Sequence, residues 1–335
     1  MTDTKPIFSV IIATRDRPVL FKRALQSVLA QDFEAMDVQV VMDGSQPENL
    51  AAYDALFVDI QSSTSKPVFV HKLMHRSNGH GQSYSFNHGV SEGHGQYVTF
   101  LDDDDEWTDV GHLSRVSRAI EAAGKNGKTV QYIMCNQQAY MGETLKEDAV
   151  WLEDLEPALV RRGSKPYAEN FYDLAIEDLF ITPGFCHLNT SVVSKTLYQG
   201  IGGMDEGVRW ECDRDLFLRL IEASDTRVFV PNIVSKHYIP DPKDKSSMTT
   251  RASMVQKRLF QIQVLLKALA NTRNDTIQNH CRTRSGYAMK KLALELKSLD
   301  QKDQADAFSK MSQALSFSLG WPLEYRKQAR GRANA

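Results

Sequence analysis

The chain is short of cysteine. Four occur in 335 residues, Cys135, Cys186, Cys212 and Cys281, and no two of them form a C-x-x-C pair. A zinc ribbon or dithiol redox motif is therefore not indicated, and the sparse, irregular spacing suits a reducing compartment. Long apolar runs are missing as well. No window approaches eighteen consecutive apolar residues, so no membrane-spanning helix is expected. The opening MTDTKPIFSV has no basic segment followed by an apolar stretch. A signal peptide is not expected, and the chain reads as cytoplasmic. There is no internal repeat, no low-complexity tract, and little net charge, formally -2.

What the chain has is an uneven charge distribution. From Arg251 to Ala335 there are 16 Lys+Arg against 6 Asp+Glu, which leaves 24 basic and 36 acidic residues before that point. An acidic body carries a basic end. A length of 335 residues also exceeds the usual single core, so one large or two modest domains are expected.

The first part alternates short apolar runs with helical patterns. Strands are predicted at Ile7 to Ala13, Val38 to Met42, Val68 to Val70, Tyr97 to Leu101 and Val130 to Met134. Helices are predicted from Pro18, near Glu48 to Phe57, Ser83 to Glu92 and Val110 to Ala123. That alternation implies βαβ units and an α/β fold with a mainly parallel sheet flanked by helices. Residues 141–183 read as loops and short helices. Phe185 to Ser194 reads as a strand, Asp213 to Ala223 as a helix, and Val228 to Tyr238 as a strand broken at Pro231. Ser253 to Ser316 reads as a helical C-terminal region, and the polar IPDPKDKSSMTT before it as a boundary. The division is thus 1–240, with halves of about 1–110 and 111–240, and 241–335.

In sheets of this kind, ligands gather at the carboxyl ends of the strands. Several polar motifs fall there. "YVTFLDDDDEW" runs an apolar strand into Asp102, Asp103, Asp104, Asp105 and Glu106. Two carboxylates about 5 Å apart repel by roughly 3 kcal/mol at an effective dielectric of about 20, so the run needs water or a cation to offset it. Carboxylates projecting from a strand end suit Mg²⁺ or Mn²⁺ with a substrate phosphate. Asp43 in "VVMDGS" reads alone as a turn residue, but it ends the second strand. Gly79 and Gly81 in "RSNGHGQ" allow close backbone approach to a phosphate-rich ligand. Asp213 in "WECDRDLFLRL" is a helix cap or a general base. His237 in "VSKHYI" is a structural histidine or a further metal ligand.

In order, "FSVIIATRDRP", "VQVVMDGS", "GQSYSFNHG", "YVTFLDDDDEW" and "GIGGMDEGVRWECDRDLFLRL" resemble the family 2 glycosyltransferases of the GT-A fold, a Rossmann-like α/β architecture. The likeness spans roughly Pro6 to Tyr238. It implies an inverting, metal-dependent transfer of one sugar from a nucleoside-diphosphate sugar, expected to be a UDP-sugar, to a carbohydrate or lipid-linked hydroxyl acceptor. It further implies that Thr14, Arg15 and Asp43 line the nucleotide pocket, with Gly81, Asp102 and Asp103 beside them. Asp104 and Asp102, joined by His237, would hold Mn²⁺ or Mg²⁺. Asp213 would be the base, and Glu211, Trp210 and His187 would lie toward the acceptor. Cys212 stands where relatives place Glu, Phe86 where many place Arg, and Met42 where an acidic residue precedes Asp43. The Q-x-x-R-W motif of processive synthases is absent.

Two other classes share parts of the pattern. A nucleotidyltransferase would release pyrophosphate instead of a nucleoside diphosphate. A non-catalytic sugar-nucleotide-binding relative would bind without turnover. No nucleic-acid partner is expected. The basic C-terminal helices read either as elements packed into a core or a homo-oligomer, or as a peripheral surface for anionic lipid.

Overall fold

The computed structural model describes residues 5–182, 184–241, 243, 248–322 and 324–325, the side chains of 248 and 249 excepted. Residues 242 and 244–247 of the expected 239–250 boundary segment therefore lie outside the described residues. In chain order the first elements are β1 (Phe8–Thr14), α1 (Pro18–Leu29), β2 (Met36–Met42), α2 (Pro47–Ser63), β3 (Val68–Lys72), α3 (Gln82–Glu92), β4 (Tyr97–Asp102), β5 (Glu106–Trp107) and α4 (His112–Lys125). Then come β6 (Tyr132–Met141), β7 (Thr144–Val150), α5 (Leu155–Arg161), β8 (Tyr172–Leu174), β9 (Ser191–Ser194), α6 (Lys195–Gly200), α7 (Cys212–Ala223) and β10 (Arg227–Tyr238). The last are α8 (Met248–Arg251), α9 (Met254–Asn271), α10 (Asp275–Ser298) and α11 (Lys302–Leu315).

Ten strands form one sheet in the order β3-β2-β1-β4-β9-β6-β10-β5, with β7 on β6 and β8 on β10. The β1–β2, β2–β3, β1–β4 and β6–β10 pairs are parallel. Strand β9 runs antiparallel to both neighbours, β4 and β6. The apolar runs of β1 and β2 are buried on both faces, as strands covered by helices on each side must be. In β10 the register with β6 shifts between Phe229 and Ile233, around Pro231, which has no amide to donate to the ladder.

Two differences from the sequence reading have local causes. The 141–183 stretch contains a hairpin, β6–β7, whose second strand is almost wholly exposed. With both faces wet, its sequence TLKEDAV carries no apolar alternation to read. Strand β9 begins only at Ser191, because Leu188–Thr190 forms a tight 3₁₀ turn capped by His187.

By internal packing the chain divides into two units, Met1–Arg209 with Arg219–Ile239, and Trp210–Leu218 with Pro240–Ala335. The first has a core of Phe8, Phe21, Val38, Tyr53, Leu101 and Val228, among others. The second has its own, including Ile262, Met289, Leu292, Leu296 and Trp321. No helix among the described residues is long and apolar enough to cross a membrane.

Candidate active site

The carboxyl ends of β1, β2 and β4 collect the polar motifs of the first unit. After β1, Thr14 is buried and its hydroxyl shares a 2.7 Å hydrogen bond with Tyr53. Arg15 donates to the Ser77 carbonyl at 2.8 Å and to that of Arg76 at 3.2 Å. Asp43, after β2, accepts the His80 amide at 2.6 Å and the Gly81 amide at 3.1 Å. Its carboxylate therefore shapes the glycine loop. Gly79 has φ +66°, and a Cβ there would lie 2.4 Å from Asp43 Oδ2, so any other residue would strain the backbone and displace that carboxylate. Thr14, Arg15, Asp43 and Gly81 are thus brought together around residues 76–81.

Asn87, on α3, anchors the Gly202-Gly203-Met204 turn. It donates to the Met204 carbonyl at 2.9 Å and accepts that residue's amide at 2.8 Å. A Cβ on Gly203 would meet Asn87 Oδ1 at 2.5 Å. The turn motif is positioned by a core hydrogen bond.

The acidic run splits its work. Asp102 accepts from Gln82 at 2.8 Å through Oδ1, while Oδ2 faces His187 Nε2 at 3.8 Å. Asp103 is buried and Asp104 part-exposed, and both are paired to Arg17, the latter at 2.7 Å. Asp105 is buried, with Oδ1 on the Tyr238 amide at 2.7 Å and Oδ2 on His237 Nδ1 at 3.0 Å. Asn189, fully buried, ties the run together. Its Oδ1 accepts the Asp102 amide at 2.9 Å, its Nδ2 donates to Asp105 at 2.5 Å, and its carbonyl accepts from the Trp107 indole at 2.9 Å. Sequence reasoning passed over Asn189. The available signal was the polar cluster His187, Asn189, Thr190 and Ser191 set between the apolar residues of Phe185 to Val193.

Burial, with Asp105 and Asp104 close by, pushes the Asp102 carboxyl well above the usual carboxylate range. Burial also raises Asp103, to about 7, against the opposing pull of Arg17. Burial alone would raise Asp105 too, but His237 outweighs it and holds that carboxyl low. Burial works against a charged His237 as well, yet Asp105 lifts it to about 9. Burial and then the charge on His237 drop His187 to about 3, which keeps its imidazole neutral. The rings of Trp151, His187 and His237 pack together, with centroids 4.8 to 5.3 Å apart.

One ligand atom from each of Asp102, Asp105 and His187 can lie within 4.8 Å of the others, an arrangement able to hold a metal ion. The donor chemistry fits a divalent cation. A neutral imidazole offers a lone pair, and Asp102, whose ionisation is opposed by burial and like charges, gains most from positive charge nearby. Of the metal-ligand candidates read from sequence, Asp102 is in this trio. Asp104 is turned to Arg17, and His237 is bonded to Asp105. His187, expected toward the acceptor, completes the trio.

The second unit holds the remaining candidates. Asp213 lies in the first turn of α7, and its Oδ1 accepts the Arg214 amide at 2.8 Å. Glu211 has a φ of +63° and is ion-paired to Arg214. Burial raises the Glu211 carboxyl, while Arg214 pulls it down. Asp215 is buried and pairs with Lys267 at 2.8 Å, so that lysine of the basic region is neutralised inside its own unit. Trp210 is part-buried and Cys212 is buried.

A mainly parallel sheet with a metal-capable acidic cluster after its fourth strand is the arrangement of a GT-A-type α/β protein. The sequence profile described as "Glycosyl transferase family 2" matches residues 9–195, more than half of the chain, and the chain belongs to that family. It is 31% identical over 101 residues to the GalNAc(5)-diNAcBac-PP-undecaprenol beta-1,3-glucosyltransferase of Campylobacter jejuni, covering 30% of this chain and 30% of that protein. The chain thus spans under a third of that relative's length. Among solved structures it is similar to S. aureus TarS 1-349 in complex with UDP-GlcNAc, with a TM-score of 0.65 at 15% identity, covering 96% of this chain and 88% of that one. It is also similar to the mannosyltransferase PcManGT from Pyrobaculum calidifontis in complex with GDP-Man and Mn²⁺, with a TM-score of 0.57 at 15% identity, covering 98% and 85%.

Proposed function

We propose that the protein is an inverting glycosyltransferase that moves one sugar from a nucleoside-diphosphate sugar, a UDP-sugar, to a hydroxyl acceptor in bacterial polysaccharide or glycolipid synthesis. The observation that carries this is the metal-capable trio of Asp102, Asp105 and His187 at the end of β4, in a chain of family 2. The relative from C. jejuni, with its undecaprenol-linked substrate name, and the UDP-GlcNAc held by TarS support the choice of acceptor and donor classes.

In this reading Asp102, Asp105 and His187 would hold Mn²⁺ or Mg²⁺, with Asp104 able to join once Arg17 releases it. What the cation supplies there is positive charge for the departing diphosphate. Thr14, Arg15, Asp43 and Gly81 surround the nucleoside. His237 keeps Asp105 ionised and oriented. Asp213 takes the proton of the acceptor hydroxyl as it attacks. Glu211 and Trp210 lie on the acceptor side.

A panel of sugar nucleotides titrated with Mn²⁺ present, followed by acceptor-dependent turnover, tests the reading. It expects one donor to bind and release free nucleoside diphosphate. Release of pyrophosphate would favour a nucleotidyltransferase. Binding without turnover across an acceptor panel would favour a non-catalytic relative.

A further inference from the structure

The connection that follows α11 holds two apolar side chains out in solvent. Phe317 is 75% exposed and Leu319 is 83% exposed. No other two large apolar side chains among the described residues stand so exposed and so close in sequence. The segment that carries them is anchored on both sides. Trp321 is buried and donates its indole N–H to Ser309 Oγ at 3.0 Å. Tyr325 is buried, donates its hydroxyl to Asp306 at 2.8 Å, and its carbonyl accepts from Lys297 at 2.8 Å. Ser316 lies against Gly286 of α10, where an added Cβ would meet the Ser316 Cβ at 2.5 Å. Residues 316–325 thus run along α10 from Gly286 toward Lys297. The buried aromatic residues hold the segment down, and Phe317 and Leu319 face outward.

The stretch of α10 beside it is basic. From Arg282 to Ser298 there are five Lys+Arg against one Glu. Lys290 stands 5.5 Å over the Trp321 ring. Tyr287 is half exposed, with Arg284 at 5.7 Å and Lys291 at 5.4 Å from its ring centroid, one helical turn to either side. Among the described residues neither lysine forms an ion pair, and each faces an aromatic ring instead. The sequence after Tyr325, RKQARGR, adds four positive charges and no negative one.

Protruding apolar side chains beside cations without counter-ions suit the surface of an anionic bilayer. The apolar tips enter the headgroup boundary, the lysines meet the headgroup phosphates, and a tyrosine ring suits a layer that is wet on one side and apolar on the other. We propose that Phe317 and Leu319, with Tyr287, Lys290 and Lys291, dock the protein peripherally on a membrane that carries anionic lipid. A second copy is the poorer occupant, because a two-fold axis through this face would set the basic patch against itself. The surface stands independently of the transfer reading, and under that reading it keeps the enzyme beside a lipid-linked acceptor.

Flotation of the full chain with vesicles tests it. Mixed phosphatidylcholine and phosphatidylglycerol vesicles are compared with phosphatidylcholine alone, in dilute buffer and at roughly 0.5 M salt, where exposed charges are screened. The wild type is expected to bind the anionic vesicles in dilute buffer, and at least about tenfold more weakly on neutral vesicles or at high salt. Replacing both Phe317→Ser and Leu319→Ser should weaken binding about tenfold or more, because their burial in the headgroup boundary is lost. The thermal midpoint of that variant should not change, since both side chains already stand in solvent in the folded chain. Replacing both Lys290→Gln and Lys291→Gln should also weaken binding about tenfold or more, at about fivefold for each cation removed. Thermal melting checks that this second variant folds. No binding by the wild type, equal binding to neutral and anionic vesicles, or wild-type affinity in either folded variant would overturn the proposal. Sedimentation without lipid tests the rival occupant, and a dimer dispersed by the two serine substitutions would overturn the membrane docking in favour of self-association.

Discussion

The first unit gathers carboxylates and the second gathers guanidinium groups. Both arrangements bring like charges together, but they are balanced differently. Asp103 and Asp104 meet Arg17, Asp105 meets His237, and Asn189 donates to Asp105 while accepting the Asp102 amide. What is left of the acidic excess sits on Asp102, beside a neutral His187. Arg258 and Arg284 meet glutamine and tyrosine instead. The first cluster is therefore largely assembled before any ligand arrives and asks for a single cation. The second lies among helices and leans on an amide and an aromatic ring. Charge count alone would have ranked the five-residue acidic run as the more frustrated. The partners that each cluster finds in the fold reverse that order.

Function should break most sharply in the second unit. Asp213→Asn is expected to lower turnover by about a hundredfold or more while leaving donor affinity nearly intact, the signature of a lost base. Single-turnover rates and donor titrations separate the two quantities. Normal turnover with reduced stability would mean that Asp213 only caps α7.

In the first unit the expected loss is one of cation affinity. Asp102→Asn and His187→Ala should each weaken Mn²⁺ binding about 10- to 100-fold, measured by spin resonance of free Mn²⁺. Asp104→Asn separates the two assignments of that carboxylate. If it ligates after Arg17 lets go, Mn²⁺-dependent donor binding falls as far as in Asp102→Asn, and if Arg17 keeps it, the variant binds Mn²⁺ as the wild type does. Unchanged Mn²⁺ affinity in all three variants would remove the metal from this cluster.

The scaffold of the acidic run comes next. Asn189→Ala strips the Asp102 amide and Asp105 of a buried partner each. Leaving the amide unsatisfied and the Asp105 carboxylate one donor short should cost about 3 kcal/mol of stability. Denaturant unfolding measures it, and a loss below about 1 kcal/mol would mean that other groups or water replace the side chain.

Much of the sheet was legible because its strands announce themselves. FSVIIAT and MDVQVVM are rich in β-branched residues, and "LDDDD" puts the charged site at a strand end. The trio was only partly legible, since which of four adjacent aspartates turns inward depends on partners far along the chain. Asp105 is selected by Tyr238 and His237, and Asp104 by Arg17, at sequence separations of 133, 132 and 87 residues. His187 enters the cluster through the tight turn it caps, a turn that the flanking apolar residues disguise as strand. The C-terminal lysines and arginines read from sequence either as solvated charges on packed helices or as a peripheral surface. Packing divides them, sending Lys267 to Asp215 and Lys297 over the Tyr325 ring.

The smallest expected effect tests whether a buried cation-forming group can be held without a partner at all. His112 opens α4, is fully buried, and has no hydrogen bond to either ring nitrogen. Its ring packs edge-on to Trp107 with centroids 4.9 Å apart. Burial lowers its pKa from 6.5 to about 4. The folded state therefore binds fewer protons than the unfolded state between those two values, so stability rises with pH through the window and is lost as pH falls from 6.5 toward about 4. Between pH 7 and pH 5 that loss amounts to at most about 2 kcal/mol for one such group, since proton uptake by the unfolded state alone costs about 1.4 kcal/mol for each pH unit crossed. His187 and His280, lowered by burial to about 3 and about 4, add slopes of the same sign. His112→Leu replaces a buried polar ring by an apolar side chain, so little stability should be lost at pH 7. Its thermal midpoint should then fall less between pH 7 and pH 5 than that of the wild type. Identical pH dependence in the two proteins would show that His112 takes up its proton in the folded state as readily as in the unfolded one, and that its burial is not what makes the fold acid-sensitive.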